Sequence, residues 1–265
     1  MQDEKMPLTG HLEELRKRLI VIVSAVGIGF FLSFYFSKTL FSYLTKPLTS
    51  EITIRPEFPF IFFIEKGLPS LIFLAPTEAL WMYLKVSLIA GLFLTLPIVF
   101  YQIWKFVVPG LLPKEKQYAL PFVVLSTTLF LIGVLFCFYL VLPYAIKFLM
   151  SYGTEQLKPM ISAGNYVDFC LKFLLAFGVI FEIPLAIIFL SKIGLVTPAF
   201  LSRNRKYAFL LAFIVAAILT PTPDVFNMTL MAVPIIFLYE TGIIASRIFG
   251  GKKAKGLGED LGKTD

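Results

Sequence analysis

Four carboxylates in this chain are set where an acid side chain can do specific chemistry. Glu182 lies in the middle of the apolar run 173–191 and is its one charged residue. A carboxyl at that depth costs about 2–3 kcal/mol even on insertion scales, so such a group faces a cavity or a partner. Pro184 follows two residues later and frees the carbonyl of Ile180, which kinks a helix at this point. Two readings stand: a polar feature inside a concave protein face, or a protonated Glu satisfied by neighbouring Ser, Thr or backbone groups. Glu14 and Glu115 lie on two different polar segments, each next to an apolar run. Carboxylates on a surface dominated by cations suit a cationic ligand, best an Arg pair held bidentately. Taken singly, each also reads as the solvated partner of a nearby Lys or Arg, and spacing alone does not bring them together. Asp224, in T-P-T-P-D-V-F, reads either as the N-cap of the helix that follows or as a binding group.

Enzyme chemistry has little to work with. The only histidine, His11, reads as a surface residue of an amphipathic helix, so a Ser/His dyad inside the membrane has no base. Asp168 and Asp224 sit at the edges of apolar runs in unlike contexts and make a poor aspartyl dyad. No G-x-x-x-x-G-K-[ST] occurs, which excludes nucleotide hydrolysis by that route. Cys137 and Cys170 both lie in or beside apolar runs, against a disulfide framework or a zinc site. No enzyme activity, cofactor or metal is expected.

The elements that must position these acids are membrane spans. Of the 265 residues 58% are hydrophobic and 15% charged, and the mean hydropathy is +0.84. A soluble domain is closer to half apolar and about a quarter charged. Leu8, Leu12, Leu15 and Leu19 form one stripe at helical spacing, and Glu13/Lys17 and Glu14/Arg18 are i,i+4 pairs with the acid first. Residues 9–19 therefore predict a short amphipathic helix at the membrane surface running into the first span. Spans are expected at about 19–36, 86–104, 118–146, 173–191, 207–219 and 225–246. The fifth and sixth apolar runs are short: thirteen helical residues reach about 20 Å, against a hydrocarbon core of about 30 Å. Residues 37–78, with five prolines, read as an extracytoplasmic cap with short helices.

The proposed cytoplasmic pieces carry 16 of the 24 Lys and Arg residues and the outer pieces carry 6. That bias puts both termini in the cytoplasm. The net charge of +7 is then a topology signal, and nucleic acid is not an expected partner. The expectation is an all-α integral membrane protein. Residues 1–250 form a single six-span domain, and 251–265 a flexible basic cytoplasmic tail.

Six stretches together resemble TatC, the receptor and core subunit of the twin-arginine protein translocase. They are H-L-E-E-L-R-K-R-L (11–19), A-P-T-E (75–78) before K-V-S-L (85–88), Y-Q-I-W-K-F-V-V-P-G-L-L-P-K-E (101–115), F-G-V-I-F-E-I-P (177–184), R-K-Y (205–207) and L-T-P-T-P-D-V-F (219–226). The resemblance implies a curved helical wall around a concave, partly polar face, capped by the outer loops. It also implies a multi-pass protein of the plasma (inner) membrane that recognises folded proteins bearing Arg-Arg signal peptides. Single-span TatA/TatB-type partners, a homo-oligomer within a larger complex and export driven by the proton-motive force follow from it too. By position, Glu14 and Glu115 look like the pair that receives the signal arginines, with Arg16 and Phe106 beside them. Glu182 looks like the intramembrane glutamate and Asp224 like the outer-loop aspartate, and Thr220 and Asn227 are candidate polar groups of a partner-docking face. The competing reading is a proton-coupled small-solute carrier with Glu182 as its titrating group. A carrier should show paired broken helices or inverted repeats, and the sequence has one Pro-kinked acidic span with no partner half.

Overall fold

A computed structural model describes residues 8–54, 61–65, 71–107, 119–152, 160–220 and 224–249. Its membrane part is all-α, and five helical stretches are long and apolar enough to cross a membrane: Leu12–Tyr35, Glu78–Phe106, Leu120–Met150, Ala163–Lys192 and Val225–Ile248. The chain folds as two compact units.

The first unit is built on α1 (Leu8–Tyr35), the start of α2 (Ser37–Leu44), α4 (Glu78–Val107) from Tyr83 onward, and α5 (Ala119–Phe136) as far as Thr128. The amphipathic lead and the first span are one continuous helix, because no Pro interrupts the 28 residues of α1. α1 and α4 meet backbone to backbone. A Cβ on Gly91 would stand 2.5 Å from the Phe30 N and 2.6 Å from the Gly29 C, and one on Gly29 would stand 2.7 Å from the Gly91 O. Only two glycines fit such a crossing. Thr95 Oγ1 donates to the Gly91 carbonyl at 2.9 Å beside it. Farther along, the Trp104 indole donates to Ser126 Oγ at 3.2 Å and its ring lies 4.6 Å from that of Phe122, tying α4 to α5.

The second unit holds the rest. After α2 come α3 (Lys46–Thr49) and an antiparallel pair, β1 (Ser50–Ile54) with β2 (Ile61–Glu65), in the register Ser50↔Glu65 to Ile54↔Ile61. Short helices were expected in this region; the strand pair was not. Its isoleucines and phenylalanines favour pleated backbone over helix. The third apolar stretch, expected at 118–146, continues to Met150. α5 passes through a π-helical turn at Cys137–Val141 into α6 (Leu142–Met150). The wider turn accommodates Pro143, whose ring and missing N–H do not fit the regular ladder.

α7 (Ala163–Ile180) and α8 (Ile183–Lys192) make the fourth stretch, which begins ten residues earlier than the charge pattern suggests. α9 (Pro198–Arg203) leads to α10 (Arg205–Leu219), and α11 (Val225–Phe249) follows. With fifteen residues α10 extends only about 22 Å, and it lays Ala212 and Ala216 on its buried side. Phe173, Phe177, Leu142, Leu185, Met231 and Ile243 are fully buried and form the core of this unit.

Candidate functional site

Glu14 stands two turns into α1, and the i,i+4 spacing does what helical geometry dictates. Arg18 Nη2 donates to Glu14 Oε1. The pair is shielded, with the Arg18 side chain 12% exposed and that of Glu14 23% exposed. Glu14 Oε2 and Arg18 Nε are buried and have no hydrogen-bond partner among the described residues. The neighbouring pair, Lys17 Nζ to Glu13 Oε1 at 2.8 Å, is open to solvent. Arg16 is exposed on the same helix, and Phe106 is half-buried near the end of α4. Glu115 lies outside the described residues. Of the four signal-site candidates, Glu14, Arg16 and Phe106 are therefore placed on the first unit.

Glu182 sits at the break in the fourth stretch. The ladder tightens there, with Glu182 N donating to the Val179 O at 3.0 Å, and restarts as Ala186 N donates to the Glu182 O at 2.9 Å. The break expected from Pro184 thus falls at Phe181–Glu182, because Pro184 occupies the first turn of α8, where a missing N–H is harmless. The residue is half-buried and its Oε1 is screened from solvent.

Asp224 caps α11. Its Oδ1 accepts from the Asn227 N at 2.7 Å and its Oδ2 from the Asn227 Nδ2 at 2.9 Å. This is the N-cap reading of Asp224, and the capping geometry brings Asn227, a fully buried amide, onto the acid. Thr220 is buried too and returns its hydroxyl to the Ala216 carbonyl at 2.7 Å. The ring of Phe226 stacks on Phe148 at 4.1 Å, fastening this end of α11 to α6.

Two acids were missed as such. Glu78, at the start of α4, accepts from the Leu74 N at 2.6 Å and the Ala75 N at 3.4 Å through Oε2. Its Oε1 accepts from the Gly164 N at 2.7 Å and from Ser162 Oγ. Ser162 is the N-cap of α7, so an anion rests on a helix N-terminus. A Cβ on Gly164 would lie 2.8 Å from the Glu78 Cγ, so only glycine leaves room. Glu240, on α11, takes both arms of Arg205, Nε to Oε1 at 2.7 Å and Nη2 to Oε2 at 2.8 Å. The R-K-Y stretch pointed at the cation, but nothing in spacing linked it to an acid thirty-five residues on.

The sequence family described as Sec-independent protein translocase protein (TatC) matches residues 10–234. The chain is 43% identical to the Sec-independent protein translocase protein TatC of Desulforapulum autotrophicum over 252 residues, covering 95% of this chain and 88% of that one. It is 40% identical to the protein of the same description from Aquifex aeolicus over 250 residues, with coverage of 94% and 98%. Among solved structures it resembles a crystal structure described as the twin arginine translocase receptor TatC. That match has a TM-score of 0.74 and 38% identity, covering 90% of this chain and 98% of the other. These relatives are components of a protein translocase and not enzymes. On this footing the chain belongs to the TatC family of Sec-independent protein translocase proteins.

Proposed function

We propose that this chain is the receptor and core subunit of a twin-arginine translocase, binding Arg-Arg signal peptides of folded proteins at the cytoplasmic rim. Glu14 and Glu115 receive the two arginines, with Arg16 and Phe106 beside them. Residues 1–250 act as one six-span domain of the inner membrane, α10 serving as the short fifth span, with both termini and the 251–265 tail in the cytoplasm. Single-span TatA/TatB-type subunits assemble on it, Thr220, Asp224 and Asn227 belong to the outer docking face, and the proton-motive force drives export. Glu182 supplies the polar point inside the wall. The small-solute carrier reading is not favoured, because the relatives move proteins.

The observation that supports this most directly is Glu14 itself. It is a shielded carboxylate that already engages a guanidinium and keeps one oxygen in reserve. Arg offers a planar fork that a Lys ammonium cannot copy. A charge-assisted hydrogen bond contributes about 1.5–3 kcal/mol when shielded, and about 1.4 kcal/mol is one decade of affinity. Glu14→Gln and Glu115→Gln should each weaken binding of a labelled Arg-Arg signal peptide by about tenfold or more and narrow its advantage over a Lys-Lys peptide. Glu13→Gln should leave binding nearly unchanged. Equal losses in all three variants would reduce the site to a diffuse acidic surface.

A further inference from the structure

We propose that Arg18 is a resident competitor at Glu14: in the unliganded protein it holds the carboxylate, and an incoming arginine binds by displacing it. The inference rests on the reading of Glu14 as a signal-arginine site and adds a residue to that site that acts against binding. The chemistry is in the contact. Arg18 and Glu14 are one helical turn apart and meet through one guanidinium arm and one carboxylate oxygen. The other oxygen, Glu14 Oε2, and the Arg18 Nε are buried without a partner among the described residues. Arg205 and Glu240, which come from different helices, close on both arms at 2.7 and 2.8 Å. The Glu14 pair is therefore a guanidinium–carboxylate contact with one of its two possible bonds unmade.

An arginine arriving from another chain is not tethered to the same helix and can make both bonds. The exchange replaces one bond by two. A lysine replaces one point contact by another and gains nothing. Arg18 thus sets a threshold that every cationic ligand must exceed. As a pure competitor it shifts all affinities by one common factor and leaves their ratio alone.

The test uses the full chain in nanodiscs, titrated with fluorescent synthetic signal peptides carrying Arg-Arg or Lys-Lys. An i,i+4 ion pair shifts an equilibrium by about twofold in water, and shielding strengthens it, so Arg18→Gln should tighten both peptides by about two- to fivefold with their ratio unchanged. Arg18→Lys, which keeps the charge but not the fork, should fall between Arg18→Gln and the unsubstituted chain. Lys17→Gln removes the same charge one residue away, from the solvated pair with Glu13, and should change binding much less. In a Glu14→Gln background, Arg18→Gln should have no further effect.

Weaker binding in Arg18→Gln would make Arg18 a holder of Glu14 and overturn the proposal. Equal tightening in Lys17→Gln, or tightening that survives Glu14→Gln, would assign the effect to diffuse charge and overturn it as well. If Glu14→Gln weakens binding while Arg18→Gln is silent, the competitor fails and the receptor site stands. If Glu14→Gln itself is silent, the site reading fails and takes the competitor with it.

Discussion

Glu78 and Glu14 are the same side chain in opposite states of use. Glu78 spends both oxygens on four donors of its own chain: two backbone N–H groups just ahead of α4, one at the start of α7, and the hydroxyl that caps α7. Glu14 uses one oxygen on one movable side chain. A carboxylate has about four acceptor positions. One that is filled by backbone has no capacity left for a ligand, and moving it disturbs the fold. One that is filled by a single long side chain can exchange partners at small cost. The count of fixed donors, more than burial or position, is what distinguishes Glu78 from Glu14.

Four substitutions test that contrast, from the largest effect to the smallest. Glu78→Ala should give the greatest loss of folded protein and lower the thermal midpoint in detergent by several degrees, because the capped start of α7 and the turn before α4 lose their common acceptor. The folded fraction should bind signal peptide normally, so a loss of affinity at an unchanged midpoint would break the contrast. Gly164→Ala comes next, since the added methyl forces the Glu78 carboxylate away from the helix end. It should lower the same midpoint by less, and its cost should shrink when combined with Glu78→Ala, as residues in contact are non-additive. Glu14→Gln should alter stability by no more than about 1 kcal/mol, the size of a partly shielded i,i+4 ion pair, while its effect falls on peptide affinity. Glu13→Gln, from a pair with both side chains mostly solvated, should move neither readout, and a measurable change in either would mean that solvation is a poor guide to use at this end of α1.

What the sequence made legible follows the range of the interactions. Long apolar runs marked the five stretches that are long enough to cross a membrane, because hydrocarbon thickness sets the length required. The Glu14/Arg18 contact was readable because its partners are four residues apart. The break near Glu182 was readable because Pro184 acts on its own helix, although its place shifted to Phe181–Glu182. The β1–β2 pair went unseen, since a strand pair within a proline-rich loop carries no strong periodicity of its own. The Glu78 clamp went unseen for a plainer reason: its partners on α7 lie 84 and 86 residues away. The A-P-T-E stretch marked the place without showing what the acid holds. The six-span count was drawn from charge bias, and α10 is the helix on which it depends, being shorter than the other crossing stretches.

The glycine crossing of α1 and α4 bears on the order in which the protein is made. Lipid tails are as apolar as leucine, so water does not press two inserted helices together, and their attraction must come from close van der Waals fit. Gly29 and Gly91 provide that fit with backbone alone, and both belong to the first 107 residues of the chain. The two helices can recognise each other as soon as the ribosome has delivered α4, before α7 to α11 have been synthesised. α1 is then anchored early, on a seam that no later segment is needed to complete.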